Sequence, residues 1–290
     1  MKLWKKISLG VTMVGATFLL TGCRKDDMED IHIVVTNYPN EYIISELYGE
    51  HSHIESIYPD GVDIDTYRVT SKNKKNVSTK DLFIYNGLIE KERDLAVELL
   101  DINSDLKIID TAYVLETDYS PDELWLNPSS LLMMTQNVRL GLKEYVSSTY
   151  LRKDIDKKYN KLKIALSELD ADYRVTIENT KNKTIVVNNS SLKYLEKFGL
   201  EVICLDNDAN EKTISDVKKL IASKAISYIF LFEGEKLSDN SREIMKTYSD
   251  IKTLELHRLI NLSDKERDEK EDYLTLMNQN LELLKQELYQ

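Results

Sequence analysis

The chain has 290 residues, with 39 Lys+Arg against 50 Asp+Glu, a formal net charge of −11 and 42% hydrophobic residues. That length and apolar content suffice for one large or two ordinary packed domains and exclude global disorder, and so acidic a balance argues against nucleic-acid binding. Two cysteines and four histidines exclude a disulfide scaffold and a cysteine-rich zinc module, and leave little room for imidazole chemistry.

Residues 1–22 read as a lipoprotein signal peptide. Lys2, Lys5 and Lys6 open it, an apolar run over 7–20 follows, and Leu20-Thr21-Gly22-Cys23 resembles a bacterial lipobox. The apolar run is shorter than the ~20 residues of a spanning helix, and small residues precede the cysteine as cleavage requires. Cleavage before Cys23 and acylation of its thiol would leave residues 23–30 as a lipid-anchored tether. The anchor is needed because anionic headgroups repel an acidic protein. The expected location is therefore the extracytoplasmic face of the bacterial cell membrane. Cys204, in the apolar run Val202-Ile203-Cys204-Leu205, reads as a small core hydrophobe.

Residues 31–150 alternate short β-branched or aromatic runs with helical patterns. Strands are expected at 31–35, 54–58, 82–85 and 107–109, and helices at 41–48 and 89–100. The alternation predicts βαβ units and a mostly parallel sheet. From Leu142 to Phe198 there is neither glycine nor proline, so nothing interrupts a helix. Tyr159, Leu162, Leu166, Leu169 and Tyr173 recur there at three- and four-residue spacings, one stripe of an amphipathic helix. A connecting helix is placed at 151–181, and its part from about 154 to 180 spans roughly 40 Å. Residues 182–290 repeat the alternation, with strands at 184–187, 202–205, 228–232 and 253–256. A final helix at 273–288 carries Leu274, Met277, Leu281, Leu284 and Leu288 on one face. The expected fold is α/β, with two lobes of mostly parallel sheet joined by one long helix and a ligand cleft between them.

Seven segments, in order, resemble the zinc/manganese solute-binding lipoproteins of ABC importers. They are VVTNYPNEYIISELYGE (34–50), YPDGVDIDTYRVT (58–70), LFIYNGL (82–88), LWLNPSS (124–130), LKYLEKFGLEV (192–202), YIFLFEGEKLSDNS (228–241) and YLTLMNQNLELLKQEL (273–288). The resemblance covers essentially the whole chain after the tether. It implies two α/β lobes on a rigid helix, a metal in the cleft, permease subunits as partners and a monomer that is not an enzyme.

The departures fall on the metal ligands. Where the family has Pro-x-Gly-x-Asp-Pro-His, this chain reads from Pro59 to Asp65, so Asp65 stands in place of the first histidine. Where it has Pro-His-x-Trp-Leu-Asp-Pro, Glu123 replaces the second histidine. The third ligand position, counted back from Gly199, is Asn188, and the fourth falls on Glu255. Asp63, Tyr67 and Trp125 match family positions beside the ligands and are expected to orient them. The family's histidine-rich capture loop is missing. Open parallel sheets bind ligands at the carboxyl ends of their strands, which independently favours these loops.

Family membership implies Mn²⁺ or Zn²⁺, whereas three carboxylates and an amide suit Mn²⁺, Ca²⁺ or Mg²⁺. Three outcomes stay open: a divalent metal, a cationic organic ligand, or a cleft without cargo. His257, two residues beyond Glu255, is a possible substitute donor, although a rim histidine is the simpler reading. Glu233 reads as a solvated acid near the cleft, and His51 and His53 as a surface pair. The leading function is capture of a divalent metal and its delivery to a permease. The alternative is a surface lipoprotein that lost the metal and acts as an adhesin or envelope partner. An enzyme using Asp65 and Glu123 as an acid/base pair ranks last, because no nucleophile set or phosphate-binding loop accompanies them.

Overall fold

The computed structural model describes residues 28–118 and 120–289; the signal peptide, the lipobox with Cys23 and most of the tether lie outside them. In chain order the elements are β1 (Ile31–Val35), α1 (Tyr38–Tyr48), β2 (Ser52–Ser56), α2 (Ser71–Val77), β3 (Leu82–Tyr85), α3 (Glu90–Ile102), β4 (Lys107–Asp110), α4 (Glu123–Leu126), α5 (Pro128–Tyr145) and α6 (Thr149–Glu178). The second half adds β5 (Thr184–Val187), β6 (Glu201–Cys204), α7 (Glu211–Ala222), β7 (Tyr228–Phe232), α8 (Asp239–Thr247), β8 (Lys252–Leu256), α9 (Asp264–Asp268) and α10 (Tyr273–Leu288). All eight expected strands form, within two residues of the places their composition assigns.

Each lobe is a four-stranded, all-parallel sheet, ordered β2-β1-β3-β4 in the first and β6-β5-β7-β8 in the second. Two-residue alternation along the strands decides which core each side chain enters. Ile33, Val35, Leu82 and Ile84 face one cluster, whereas Val34 and Phe83 face another. In the second lobe Ile185, Val187, Phe230 and Phe232 join that first cluster, and Val186 and Ile229 turn to a third. One continuous core therefore runs from sheet to sheet. Leu162, Leu166, Leu169 and Tyr173 of α6 and Leu281 and Leu284 of α10 belong to it. Lobes that share a core resist opening wide, because separation would expose that apolar surface to water.

The connecting helix differs from expectation at both ends. It runs Thr149–Glu178, about 45 Å at 1.5 Å per residue, and so starts earlier than 151 and stops before 181. Neither glycine nor proline marks its start. Val146 leaves the helical region at ψ 123, and the Ser148 hydroxyl accepts from Leu151 N at 3.4 Å as an N-cap. Asn179 closes the other end, its N–H bonded to Val175 and Ile177 carbonyls. No helix among the described residues is long and apolar enough to cross a membrane.

Candidate functional site

A cleft of about 670 Å³ opens where the two lobes meet at the carboxyl ends of their strands. Its first-lobe wall is the turn 61–65 together with Asp122; its second-lobe wall is Asn189, Ser191, Phe232 to Glu235, and the segment 257–263 after β8. Gly61 takes a left-handed φ of +69, which glycine adopts without a Cβ penalty. Its N–H donates to Leu262 O at 2.9 Å across the lobe boundary. The Asn261 amide donates to Pro59 O at 3.0 Å, and Tyr38 N–H donates to Ile260 O at 3.0 Å. Segment 258–262 thus belongs to the second lobe by sequence and to the first by hydrogen bonding.

Arg258 occupies the centre of this arrangement. Its Nη1 lies 2.8 Å from Asp65 Oδ2, and its Nε and Nη2 lie 3.1 Å from Asp122 Oδ2. Asp122 is buried, with its side chain 4% exposed, whereas Asp65 is open to water. Burial pushes the Asp122 carboxyl up, and the neighbouring guanidinium only partly offsets that cost. Burial also disfavours the Arg258 charge, yet the Asp122 and Asp65 charges outweigh it, so the guanidinium holds its proton more tightly than usual. The Trp125 indole donates to Arg258 O at 3.0 Å, and Tyr273 Oη donates to Trp125 O at 2.5 Å. Trp125 is fully buried and anchors the arginine's main chain.

Among the four expected ligands, Asp65 lines the cleft and the other three do not. Glu123 is buried, but its carboxylate is turned back into its own loop. There it accepts from Thr117 Oγ1 at 2.7 Å and Asp118 N at 3.1 Å, and pairs with Lys197 Nζ. Asn188 is buried behind the second-lobe wall. Its amide donates to Glu235 and to Lys236 O at 3.1 Å and accepts from Ser238 N at 2.9 Å, so it acts as a clamp on the loop after β7. Glu255 is exposed on the edge strand β8. Leu254 and Leu256 pack inward, and the pleat turns the residue between them to solvent. Of the four expected residues only Asp65 lines the cleft, and Asp122 stands beside it, because Asp122 at the N-cap of α4 and Glu123 at its first position point to different sides.

The flanking residues divide similarly. Asp63 Oδ1 accepts from Asp65 N at 3.0 Å, and Oδ2 accepts from Thr66 Oγ1 at 2.9 Å. The Thr66 bond keeps the Asp63 carboxyl below its ordinary range. Tyr67 lies outside the cleft lining, edge-on to Tyr58 at 5.5 Å, and its carbonyl accepts from Lys91 Nζ at 2.6 Å. Cys204 is half-buried, not deep in a core, with its thiol pushed up to about 12 by burial.

Among the described residues, two further clusters bring metal-ligand atom types within 4.8 Å of one another: Glu233–His257–Glu266 in the cleft and Glu50–His51–Asp154 at the far end of the first lobe. In the second, Lys158 Nζ lies 3.1 Å from Glu50 and 3.2 Å from Asp154, so a protein cation already stands among the oxygens. His53 instead pairs with Asp30 at 3.0 Å and stacks on His32. Sequence reasoning missed Asp122, Arg258, Lys197 and Glu266. The available signal was the acid doublet Asp122-Glu123 and a single arginine beside His257 in an acidic chain.

Residues 33–287 match the family model described as zinc-uptake complex component A periplasmic. The chain is 22% identical to the zinc-binding lipoprotein AdcA of Streptococcus pneumoniae over 97% of its own length. It spans 61% of that relative, about three-fifths of its length. It is 23% identical to the high-affinity zinc uptake system protein ZnuA of Bacillus subtilis, with 99% of each chain covered. The fold also superposes on the metal-dependent lipoprotein YcdH of Bacillus subtilis with a TM-score of 0.73 and 20% identity, covering 89% of this chain and 99% of that one. With the family model matched over nearly its whole described length and both lobes and the long helix in place, the chain belongs to the family described as zinc-uptake complex component A periplasmic.

Proposed function

We propose that this chain is the lipid-anchored, extracytoplasmic solute-binding protein of an ABC importer, and that its cargo is a divalent metal ion held between the lobes and passed to permease subunits. One observation carries the reading. Asp65 and Asp122 of the first lobe converge on a positive charge that reaches in from the second, so the cleft is a cation pocket. The zinc-binding relatives point to the same class of cargo. The donor set here is oxygen, which favours Mn²⁺ or Ca²⁺ over Zn²⁺ and gives up the selectivity that imidazole supplies. In this reading Asp65 and Asp122 hold the ion and Asp63 fixes the Asp65 loop. Trp125 fixes the opposing strand end, Glu123 and Asn188 brace the walls, and acylated Cys23 tethers a monomer to the membrane.

A second reading rests on a specific observation as well. Arg258 and Lys197 already neutralise the cleft acids and Glu123, as expected of a surface lipoprotein that kept the fold and dropped the metal. Elemental analysis of protein purified without chelator, followed by melting with Mn²⁺, Zn²⁺ or Ca²⁺, separates the two. An ion at 100 times its Kd should stabilise the fold by about 2.7 kcal/mol, and the Asp65→Ala/Asp122→Ala double variant should abolish that gain. No bound metal and no shift with any ion would leave the second reading standing.

A further inference from the structure

We propose that Arg258 is a built-in counter-cation whose guanidinium stands where the cargo ion would sit, so that metal binds only by displacing it and Arg258 sets the affinity of the cleft. The proposal rests on the cation-pocket reading above and names its controlling residue.

The geometry around Arg258 is built. Leu259, the next residue, is fully buried and holds φ at +57, a region costly for a side chain of its shape. Its N–H donates to His257 Nδ1 at 2.9 Å. A neutral imidazole has one free lone pair. With that pair taken on Nδ1, the ring proton sits on Nε2 and is donated to Glu266 Oε1 at 2.9 Å. His257 in this tautomer offers no lone pair to a metal. The His257–Glu266 pair is therefore a strut that holds the strained turn, and the turn aims Arg258 at Asp122 and Asp65. Asn280 completes the brace, accepting from His257 N and donating to its carbonyl, both at 2.8 Å.

The occupant is replaceable for two reasons. The Arg258 side chain is 33% exposed, so it can swing into water without entering a core. Its charge is single, and attraction to the same two carboxylates doubles for a divalent ion at equal distance. Monovalent ions have no such advantage, so displacement selects by charge where the donor chemistry no longer selects by softness.

The test is calorimetric titration of Mn²⁺, Zn²⁺ and Ca²⁺ into the full chain and into Arg258→Gln and Arg258→Met, each checked for a cooperative melt. Both variants should bind at least one ion tighter than the unaltered protein by on the order of tenfold or more. Adding Asp122→Asn should abolish the gain, and Arg258→Lys, which returns a cation, should lose most of it. If the unaltered protein binds no metal but the neutral variants do, the cargo reading fails and the counter-cation stands. If the unaltered protein binds metal and neither folded neutral variant binds tighter, the counter-cation is overturned while the cargo reading survives. Should neither form bind, both are overturned. Should the neutral variants fail to fold, an Arg258→Lys form that keeps the charge yet binds metal tenfold or more tighter than the unaltered chain would also overturn it.

Discussion

Asp122 and Glu92 are both buried acids near strand ends of the first lobe, and the protein answers them differently. Asp122 receives a guanidinium from the other lobe. Glu92, 1% exposed on α3, receives only neutral donors: Thr36 Oγ1, Asn37 Nδ2 at 3.0 Å and Asn86 N at 2.7 Å. Burial pushes both carboxyls up, Glu92 to about 7. The cleft acid has imported a cation, which another cation can replace. The internal acid is held by fixed hydrogen bonds, which nothing diffusible replaces. The proposed function rests on the first arrangement, and the second cross-links the ends of β1 and β3 to α3.

The most drastic way to break the comparison is to remove the platform beneath Arg258. Trp125→Ala leaves a large cavity and frees the Arg258 carbonyl, while Tyr273 Oη keeps the main-chain carbonyl of residue 125 as its acceptor. A loss of about 3–5 kcal/mol in a urea titration is expected; a loss under about 1 kcal/mol would mean that Trp125 does not anchor the segment.

Next in size is the pH response of Glu92. Its folded pKa lies above the unfolded value of 4.5, so its contribution to stability is fully present below about 4.5 and is lost as pH rises to about 7. The loss amounts to about 3 kcal/mol across that window. Denaturant midpoints at pH 5 and pH 8 should show this fall, and Glu92→Gln should flatten it. An unchanged slope in the variant would place the titration elsewhere.

Removing the imported cation comes third. Arg258→Gln leaves Asp122 buried and unpaired, at a cost of about 2 kcal/mol at pH 8, less than for a fully buried pair because the arginine is partly exposed. The orphaned carboxyl should then favour its proton, so the variant recovers stability as pH falls, whereas a deficit independent of pH would argue against an unpaired Asp122.

The smallest effect is expected at Asp65. It is 63% exposed, so Asp65→Asn should change the melt by no more than about 0–1 kcal/mol while weakening cation binding.

The fold was legible because strand composition and helical spacing are local signals that the shared core reinforces. The stripe from Leu162 to Tyr173 and the apolar face of α10 enter that core as the pattern dictates. The helix start was not legible, since Ser148 caps it without glycine or proline. At the cleft, the residues that the family register picks out and the residues that line the walls overlap only in part. Asp65 lies in the cleft, but one position separates Glu123, buried and turned away from it, from Asp122, which lines it, and β8 pleating sends Glu255 to water. Arg258 escaped because nothing local tells an arginine at a strand end that it will cross between lobes; only the tertiary arrangement brings it to Asp65, 193 residues away in sequence.

The central claim is tested most directly by a crystal of the unaltered protein soaked in Mn²⁺ and examined by anomalous scattering. A manganese peak bridging Asp65 and Asp122, with the Arg258 guanidinium swung out of the cleft, is the predicted result. Arg258 still seated between the two carboxylates, with no manganese there at saturating concentration, would contradict it.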